Sequence, residues 1–483
     1  MKNYRLKNYK MIEDYEFDLN KINIIVGENS SGKSSFLRSL QLLKQTAYFS
    51  FEKLHTNFKE GIDFGEYSNL IKNKDESTVG FKVIFEKKIK SYGDFFIEGI
   101  EWAYEKNILK KIIIVLNDST LEIILDKNKL EKIKLNNQEL EISDITIMKY
   151  TKDFCFPSLG ASNLENIFYR YMEASEKAKV SEDERMELLH LLLNKRNEIY
   201  LNKELKFDIK YNGTDKNILK RKILNERKKI DVLNKSNEFI KNEITYMANK
   251  ILGDLNKEFK RKFMGIIYTG AIRALGERYY RIVEDEFTGD YTVNNDISRQ
   301  LYNFKTNAPE ILELFNNFIY EHFKFKVDVI TLNIKNDEPI FFYVEIEKDG
   351  AKNNLVDVGA GYSQILPILY ACFGKRKNNA ATIVIEQPEL HLHPKMQSDL
   401  LDLLLKLSKD NPNLKFIIET HSSLIIDRVG KNIMIENYDS KDINVFIFNK
   451  EQNLEIKKTK YGQDGVLEEW PIRFFSAKEI KKW

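Results

Sequence analysis

The segment GENSSGKS, from Gly27 to Ser34, constrains the fold of this chain more than any other feature of its sequence. It fits the pattern G-x-x-x-x-G-K-[ST] at every fixed position. The apolar run KINIIVG before it predicts a buried strand, and the run SFLRSLQLLKQ after it predicts a helix. A loop of this kind between a strand and a helix turns its backbone N–H groups towards phosphate oxygens. The sequence therefore predicts a phosphate-binding loop in an α/β fold.

Each residue type in this loop suits a part of a nucleoside triphosphate that is bound with a metal ion. Gly27 and Gly32 allow the backbone to curl, and the N-terminus of the following helix favours an anion. Lys33 supplies positive charge for the β- and γ-phosphates, and the Ser34 hydroxyl is offered to Mg²⁺. We therefore predict ATP and Mg²⁺ as cofactors, rather than a chance glycine-rich turn before a helix. The other residues of this loop predicted to bind ATP are Asn29, Ser30 and Ser35.

A second motif, IVIEQPELHLHP, lies roughly 350 residues beyond the phosphate loop. The apolar run ATIVIE predicts a strand that ends at Glu386, and the carboxyl ends of parallel strands face the ligand in such folds. We predict that Glu386 is the acid associated with Mg²⁺, so that Ser34 and Glu386 are the predicted metal ligands. The alternative is a surface glutamate that merely ends a strand. His421 follows a further apolar strand, LKFIIET, from which it could reach the γ-phosphate, although a lone histidine is more often a packed or capping residue.

Hydrophobic periodicity divides the chain into four parts. Strand patterns dominate residues 1–160, which hold the phosphate loop and a predicted β-lobe. Apolar residues three and four apart predict a helical insertion over residues 161–265. Strands and helices alternate over residues 266–440, and two short strands form a predicted β tail over residues 441–483. Alternation at this spacing indicates an α/β protein with a parallel sheet.

Four motifs resemble, in their order, those of the ABC ATPase superfamily: GENSSGKS, VDVGAGYSQILPI, IVIEQPELHLHP and FIIETHSS. Within that superfamily the chain resembles the SMC-like branch, which includes DNA-repair ATPases and the OLD-type phage-defence proteins. The string VGAGYSQ is similar to a divergent signature motif and places Gly359, Gly361 and Ser363 just ahead of a helix. The strings YTGAIRALGERYYR and DGVLEEWPIRFF resemble elements of a bacterial stand-alone subfamily found in defence operons.

This resemblance implies an α/β fold of the ABC-type P-loop ATPase head, with a mixed N-terminal β-lobe and a helical insertion domain. It also implies that two heads enclose two nucleotides, so that Gly361 and Ser363 of one chain face the γ-phosphate held by Lys33 of the other. A homodimer or a larger even-numbered homo-oligomer is therefore expected. The leading interpretation is an ATP-hydrolysing sensor or scaffold subunit of a bacterial anti-phage defence system, which controls a separate effector such as a nuclease.

The residues after Glu386 depart from the pattern of most relatives at one position. Most relatives place a glutamate there to polarise the attacking water, whereas this chain has Gln387. An amide cannot accept a proton, although it can orient water, so we expect turnover well below the enzyme median of ~10 s⁻¹. Glu389 is the candidate replacement, and a carboxylate that supports the following turn is the alternative. The pair His391 and His393 is better explained as part of that turn than as a metal site.

Two other functions remain alternatives: an SMC-like DNA-repair or chromosome-maintenance ATPase, and a non-catalytic ATP-binding scaffold. The first predicts hydrolysis that DNA stimulates. Two groups of basic residues are candidate contacts with DNA, although the Lys- and Asn-rich composition of the whole chain favours a solvated helical face instead. The first group is Lys216, Lys220, Arg221, Lys222, Arg227, Lys228 and Lys229, and the second is Lys257, Lys260, Arg261 and Lys262.

Composition restricts the class of protein further. Lys and Arg total 76 against 73 Asp and Glu, so a net charge of +3 provides no global field for nucleic acid. The two cysteines exclude a disulfide framework and fit a reducing compartment. The apolar runs fall short of the ~20 residues that a membrane helix needs, so we expect a cytoplasmic protein without a membrane partner. No nuclease motif is visible, so we expect any effector to be another polypeptide.

Overall fold

The computed structural model describes most of the chain outside the central insertion. The described residues are 1–57, 62–73, 77–91, 95–126, 129–140, 147–149, 158–160, 247–248, 250–271, 273, 276–282, 297–335, 338–374, 380–450 and 453–469. Among these residues, no helix combines the length and the apolar character needed to cross a membrane.

The described segments form strands and helices whose bounds follow the apolar periodicity of the sequence. The strands are β1 Asn3–Tyr9, β2 Ile12–Asp18, β3 Ile22–Gly27, β4 Thr78–Lys90, β5 Phe96–Glu105, β6 Ile108–Leu116, β7 Thr120–Asp126, β8 Lys129–Leu135, β9 Gln138–Leu140, β10 Ile147–Lys149, β11 Ser158–Gly160, β12 Ile266–Thr269, β13 Tyr280–Arg281, β14 Lys326–Lys335, β15 Glu338–Lys348, β16 Ala351–Asn354, β17 Ala381–Glu386, β18 Leu414–Glu419, β19 Ile443–Lys450 and β20 Leu454–Thr459. The helices are α1 Lys33–Phe49, α2 250–264, α3 Ile297–Asn307, α4 Pro309–Phe323, α5 Ala360–Phe373, α6 Pro394–Asp410 and α7 Ser423–Met434.

A six-stranded sheet carries the phosphate loop. Its order is β12-β17-β18-β3-β19-β20, and every neighbouring pair is parallel except β19 and β20. Both β3 and β18 are buried at every position, as expected of parallel strands that are covered on both faces. Strand β18 lies between β3 and β17, and its register places Glu419 opposite Glu386. The sheet therefore brings the phosphate loop and two strand-end carboxylates to one edge.

The N-terminal β-lobe is an eight-stranded antiparallel sheet in the order β2-β1-β4-β5-β6-β7-β8-β9. Its strands alternate buried and partly exposed positions, so one face packs inward. On that face Trp102 is fully buried. Its ring centroid lies 5.2 Å from that of Phe259 in α2 and 5.7 Å from that of Phe51. Helix α2 therefore closes the core between this lobe and the six-stranded sheet, whose Val384 and Ile417 belong to the same cluster.

The opposite face of the six-stranded sheet is covered by helices. Ile24 of β3 and Ile383 of β17 pack there with α4, α5, α6 and α7. A third sheet, built from β13, β14, β15 and β16, is antiparallel and packs beside α3 and α4. The parallel sheet is thus enclosed between the β-lobe and a helical layer, which is the layered arrangement expected of an α/β protein.

Several sequence predictions can be compared with these elements. The predicted α/β class, with a phosphate loop on a parallel sheet and an N-terminal β-lobe, is confirmed. The insertion predicted over residues 161–265 falls largely outside the described residues, which include only α2 at its end. The two strands predicted for the C-terminal β tail are β19 and β20, and β19 pairs in parallel with β3 at the centre of the head. Short apolar strands do not reveal their partners, since parallel pairing joins segments distant in sequence.

We predict that Trp102→Ala destabilises the protein by about 3–5 kcal/mol, because it leaves a cavity where the β-lobe meets α2. Urea denaturation followed by far-UV circular dichroism would measure this. Ile108→Ala is the control, since Ile108 lies in the same sheet with 39% of its surface exposed, and its loss should cost less than about 1 kcal/mol. Equal effects of the two changes would contradict this account of the core.

Candidate active site

The phosphate loop is fixed by a close contact between its first glycine and a neighbouring strand. Gly27 has φ of +147°, and a Cβ built on it would lie 2.2 Å from the carbonyl oxygen of Phe448 in β19. No L side chain fits at that distance, so only glycine lets β3 turn into the loop here. Gly32 has φ of +97° and Ser30 has φ of +60°, so the loop curls tightly before α1 begins at Lys33. Asn29 and Ser30 are exposed at the tip of the loop, whereas Lys33 is buried at its base.

The Lys33 side chain lies inside the curl of the loop. Its ammonium group donates hydrogen bonds to the carbonyl oxygens of Gly27, at 2.8 Å, and Glu28, at 2.7 Å. Only 4% of the residue is exposed, and this burial lowers the pKa of Lys33, while the carboxylate of Glu419 opposes the shift. The same ammonium lies 3.8 Å from a carboxylate oxygen of Glu419. The loop thus holds a buried cation beside a buried acid.

Glu419 is a functional candidate that the sequence interpretation missed. It ends β18, and its carboxylate accepts hydrogen bonds from the Ser34 hydroxyl at 3.1 and 3.3 Å. Burial raises the pKa of Glu419 to about 7; Lys33 lowers this pKa and neighbouring Glu386 raises it. The signal was present in FIIETHSS, where an acid ends an apolar strand, but only the histidine two residues later was singled out.

The predicted acid Glu386 lies next to Glu419 but has a different set of partners. One oxygen of its carboxylate accepts hydrogen bonds from the Tyr268 hydroxyl and from Arg38 of α1, the latter at 3.3 Å. The other oxygen accepts from the backbone N–H of Ala271 at 3.2 Å. The carboxylate bonded to Ser34 is therefore that of Glu419, while Glu386 is held by α1 and by the segment after β12. The metal role of Glu386 stays a prediction.

Glu389 and His421 are joined to each other. One carboxylate oxygen of Glu389 accepts a hydrogen bond of 2.6 Å from the backbone N–H of His421. Burial raises the pKa of Glu389, and this backbone bond opposes the shift. This contact ties Glu389 to the segment after β18 rather than to the turn that follows it in sequence. The His421 ring lies 4.0 Å from Glu419, and burial, assisted by Lys33, lowers the pKa of His421 to about 4, so the ring is neutral at pH 7.

Gln387 is held in the turn by its backbone. It has φ of +43°, a left-handed conformation that is uncommon outside glycine, asparagine and aspartate. Its N–H donates a hydrogen bond of 2.8 Å to the carbonyl oxygen of Glu419. The ends of β17 and β18 are therefore tied together directly beside the two carboxylates. Strained backbone of this kind is often found at functional sites.

The predicted signature residues lie at the start of α5. Gly359 has φ of +90° and is exposed, and Gly361 approaches the turn after β17, since a Cβ there would lie 3.0 Å from the carbonyl oxygen of His391. Ser363 is only 4% exposed, and its hydroxyl accepts a hydrogen bond of 3.4 Å from the N–H of Gly276. Its side chain therefore faces its own chain, unlike the predicted orientation towards a partner's nucleotide, because it lies on the inward face of the first helical turn.

The donor atoms beside the loop suit Mg²⁺. The hydroxyl of Ser34 and the carboxylates of Glu386 and Glu419 are hard oxygen ligands of the type that this ion takes. In the part of the chain that the structure describes, no group of three or more His, Cys, Asp or Glu side chains could hold a metal ion. Mg²⁺ needs only one or two carboxylates when phosphates and water complete its shell.

His393 caps a helix. Its ring accepts a hydrogen bond of 3.4 Å from the Lys395 N–H at the start of α6.

A family model described as "AAA ATPase domain" matches residues 1–426. The chain belongs to this family. The buried Lys33, Ser34 and the paired carboxylates of Glu386 and Glu419 all lie within the matched residues. The family assignment covers the phosphate loop, the segment after β12 and the turn after β17, and ends within α7.

Solved structures of Smc head domains are similar to this AAA ATPase domain at low identity. An Smc head from Pyrococcus furiosus, bound to the C-terminal domain of ScpA, is 13% identical with a TM-score of 0.35, over 95% of this chain and 96% of that one. The SMC head domain from Thermotoga maritima is 12% identical with a TM-score of 0.36, over 95% and 98% of the two chains.

We predict that Gly27→Ala weakens ATP binding by at least about a hundredfold, because the added methyl group would force β3 away from β19 and distort the loop. Titration with a fluorescent ATP analogue would measure this. Gly253→Ala is the matched control, since a Cβ at Gly253 of α2 meets nothing within 4 Å and alanine favours a helix. Unchanged affinity in Gly27→Ala would contradict the described loop geometry.

Proposed function

We propose that this AAA ATPase domain protein is a cytoplasmic, Mg²⁺-dependent ATPase that hydrolyses ATP slowly and acts as a sensor or scaffold subunit of a bacterial anti-phage defence system. In this proposal it controls a separate effector such as a nuclease. One observation carries the ATPase part: Lys33 and Ser34 converge with the carboxylate of Glu419 at one edge of the parallel sheet. The remainder rests on the motifs that resemble the defence-associated branch.

Each residue of this cluster has a distinct task in the proposed reaction. Lys33 would bind the phosphates as a point charge, and the loop around it would hold them through backbone N–H groups. Mg²⁺ would supply positive charge to the phosphate oxygens when bound. Ser34 and Glu419 would hold that ion. Glu386, which accepts a hydrogen bond from Arg38, would add a second negative charge near it.

Slow turnover is expected because the usual water-polarising position holds an amide. Gln387 cannot accept a proton, and one of the two carboxylate oxygens of Glu389 already accepts the backbone N–H of His421. Glu419 is the nearest carboxylate with an oxygen already directed at Ser34, so it is the candidate to orient or polarise the attacking water. Glu419 would then both hold Mg²⁺ and act on the attacking water. This double task favours a slowly resetting switch over a rapid enzyme.

ATP would also control assembly. Gly359, just ahead of α5, is exposed and could meet a second copy of the chain, with the partly buried Gly361 behind it, and a homodimer or larger even-numbered assembly is the proposed form. DNA is a weaker candidate partner. The first basic group lies outside the described residues. In the second group Arg261 forms an ion pair of 2.6 Å with Glu258, which partly neutralises the charge that Arg261 could offer to DNA phosphates.

A non-catalytic ATP-binding scaffold is the second candidate function. The observation that favours it is the turn after β17, in which Gln387 lacks a base and Glu389 supports the His421 backbone. Such a protein would bind ATP and assemble without turning it over, and its signal would depend on nucleotide occupancy alone.

We predict that Glu419→Gln lowers ATP turnover at least about tenfold and raises the Mg²⁺ concentration needed for half-maximal activity, because a carboxylate beside Ser34 is lost. Phosphate release measured against Mg²⁺ concentration would test this. Glu455→Gln is the control, since that side chain is exposed and its ion pair with Lys457 lies at the surface. Normal turnover in Glu419→Gln, with its loss in Glu389→Ala, would transfer the role to Glu389.

We also predict that ATP with Mg²⁺ increases the solution mass of the wild-type protein to that of a dimer or an even multiple of the protomer. Lys33→Ala should not respond, because its loop lacks the charge that holds the phosphates. Light scattering coupled to size-exclusion chromatography would report both masses. Assembly without turnover would favour the scaffold, and a constant monomer mass would contradict the nucleotide-bridged dimer.

A further inference from the structure

A chain of hydrogen bonds connects the start of α5 to the end of β17 within one protomer. The side-chain amide of Gln364 in α5 donates to the backbone carbonyl oxygen of Arg273 at 3.1 Å. The guanidinium group of the same Arg273 donates to the backbone carbonyl oxygen of Glu386 at 2.7 Å. Arg273 therefore lies between the helix that carries the signature-like motif and the strand end that carries the acid.

The contact between Gly276 and Ser363 forms a second link between the same two segments. Its 3.4 Å hydrogen bond fastens the segment that follows β12 to the first turn of α5. The same segment also contacts the Glu386 side chain, through the N–H of Ala271. A shift of α5 would consequently move the donors that hold both the carboxylate and the carbonyl group of Glu386.

The free-energy cost of burying the Arg273 side chain indicates that this residue has a role beyond packing. The residue is 1% exposed and Gln364 is 3% exposed, so both are enclosed by protein. Among the described residues, the Nε and Nη1 atoms of Arg273 have no hydrogen-bond partner, nor has the second carboxylate oxygen of Glu389. Burial of a charged group with unsatisfied donors is unfavourable, and such groups are retained where they have a specific task.

We infer that Arg273 is a positioning residue that couples the start of α5 to the Glu386–Gln387 end of β17. The inference rests on the proposed ATPase function and assigns a regulatory contact to that same site. Contact of a second chain with the exposed Gly359 would shift α5, and Gln364 and Arg273 would transmit the shift to the peptide between Glu386 and Gln387. Hydrolysis would then respond to assembly without a change in the phosphate loop itself.

Three variants test this coupling. Gln364→Ala removes the link between α5 and Arg273 without touching Glu386, and Arg273→Lys keeps a cation but loses the forked geometry. Gln45→Ala is the matched control, because Gln45 is another buried glutamine, 2% exposed, whose amide donates to backbone carbonyl groups, those of His55 and Ile62. Any general effect of losing such a bond should appear in the control as well.

The first measurement separates turnover from nucleotide binding. We expect Gln364→Ala and Arg273→Lys to lower kcat by between about tenfold and a hundredfold, since small displacements at a reacting centre have effects of this size. The dissociation constant for an ATP analogue should stay within about twofold, because Lys33 and its loop are unchanged. A kcat equal to that of Gln45→Ala, or a parallel loss of nucleotide affinity, would overturn the proposal.

The second measurement does not depend on hydrolysis. Hydrogen–deuterium exchange of residues 384–392 should be faster in Gln364→Ala than in the wild type, because the peptide at Gln387 is less firmly held, and unchanged in Gln45→Ala. If the wild type shows no turnover, the hydrolysis proposed above fails while this result still decides the coupling. Exchange over residues 384–392 that is identical in all variants would overturn it.

Discussion

The insertion of β18 between β3 and β17 is the constraint on which the site depends. Parallel pairing fixes the separation of neighbouring strands, and the register sets Glu386 opposite Glu419 at the same edge as the phosphate loop. The carboxylate of Glu419 therefore reaches the loop from β18, the neighbour of β3, and the carboxylate of Glu386 reaches it from β17, one strand further away. A single-residue slip in either pairing would turn these side chains to the opposite face.

The two acids share one buried environment but are held by separate groups. Glu419 contacts Ser34 and lies beside Lys33, whereas Glu386 is held by Arg38 and Tyr268. Two nearby carboxylates without such partners would repel each other strongly in a medium of low dielectric. Separate partners allow both to remain within the site. Burial raises the pKa of Glu419 to about 7, and the nearby Glu386 adds to this effect while Lys33 opposes it.

The halves of the AAA ATPase domain return to one sheet despite the long insertion between them. Strand β3 comes from the N-terminal half, while β12, β17, β18 and β19 come from the C-terminal half, and α2 leads directly into β12. Helix α2 also packs against Trp102 of the β-lobe. Helix α2 thus links the C-terminal half of the sheet to the β-lobe formed by the N-terminal half.

The sequence by itself determined the phosphate loop, the strand and the helix that flank it, the start of α5, and the α/β class, because these features follow from local spacing and residue type. It placed Lys33, Ser34 and Glu386 in one site, and it presented the amide at Gln387. Only the tertiary structure decided that Glu419 contacts Ser34, that Glu389 supports His421, and that β19 joins β3. Those outcomes depend on pairing between segments hundreds of residues apart, and neither strand register nor the direction of a buried side chain is encoded in local periodicity.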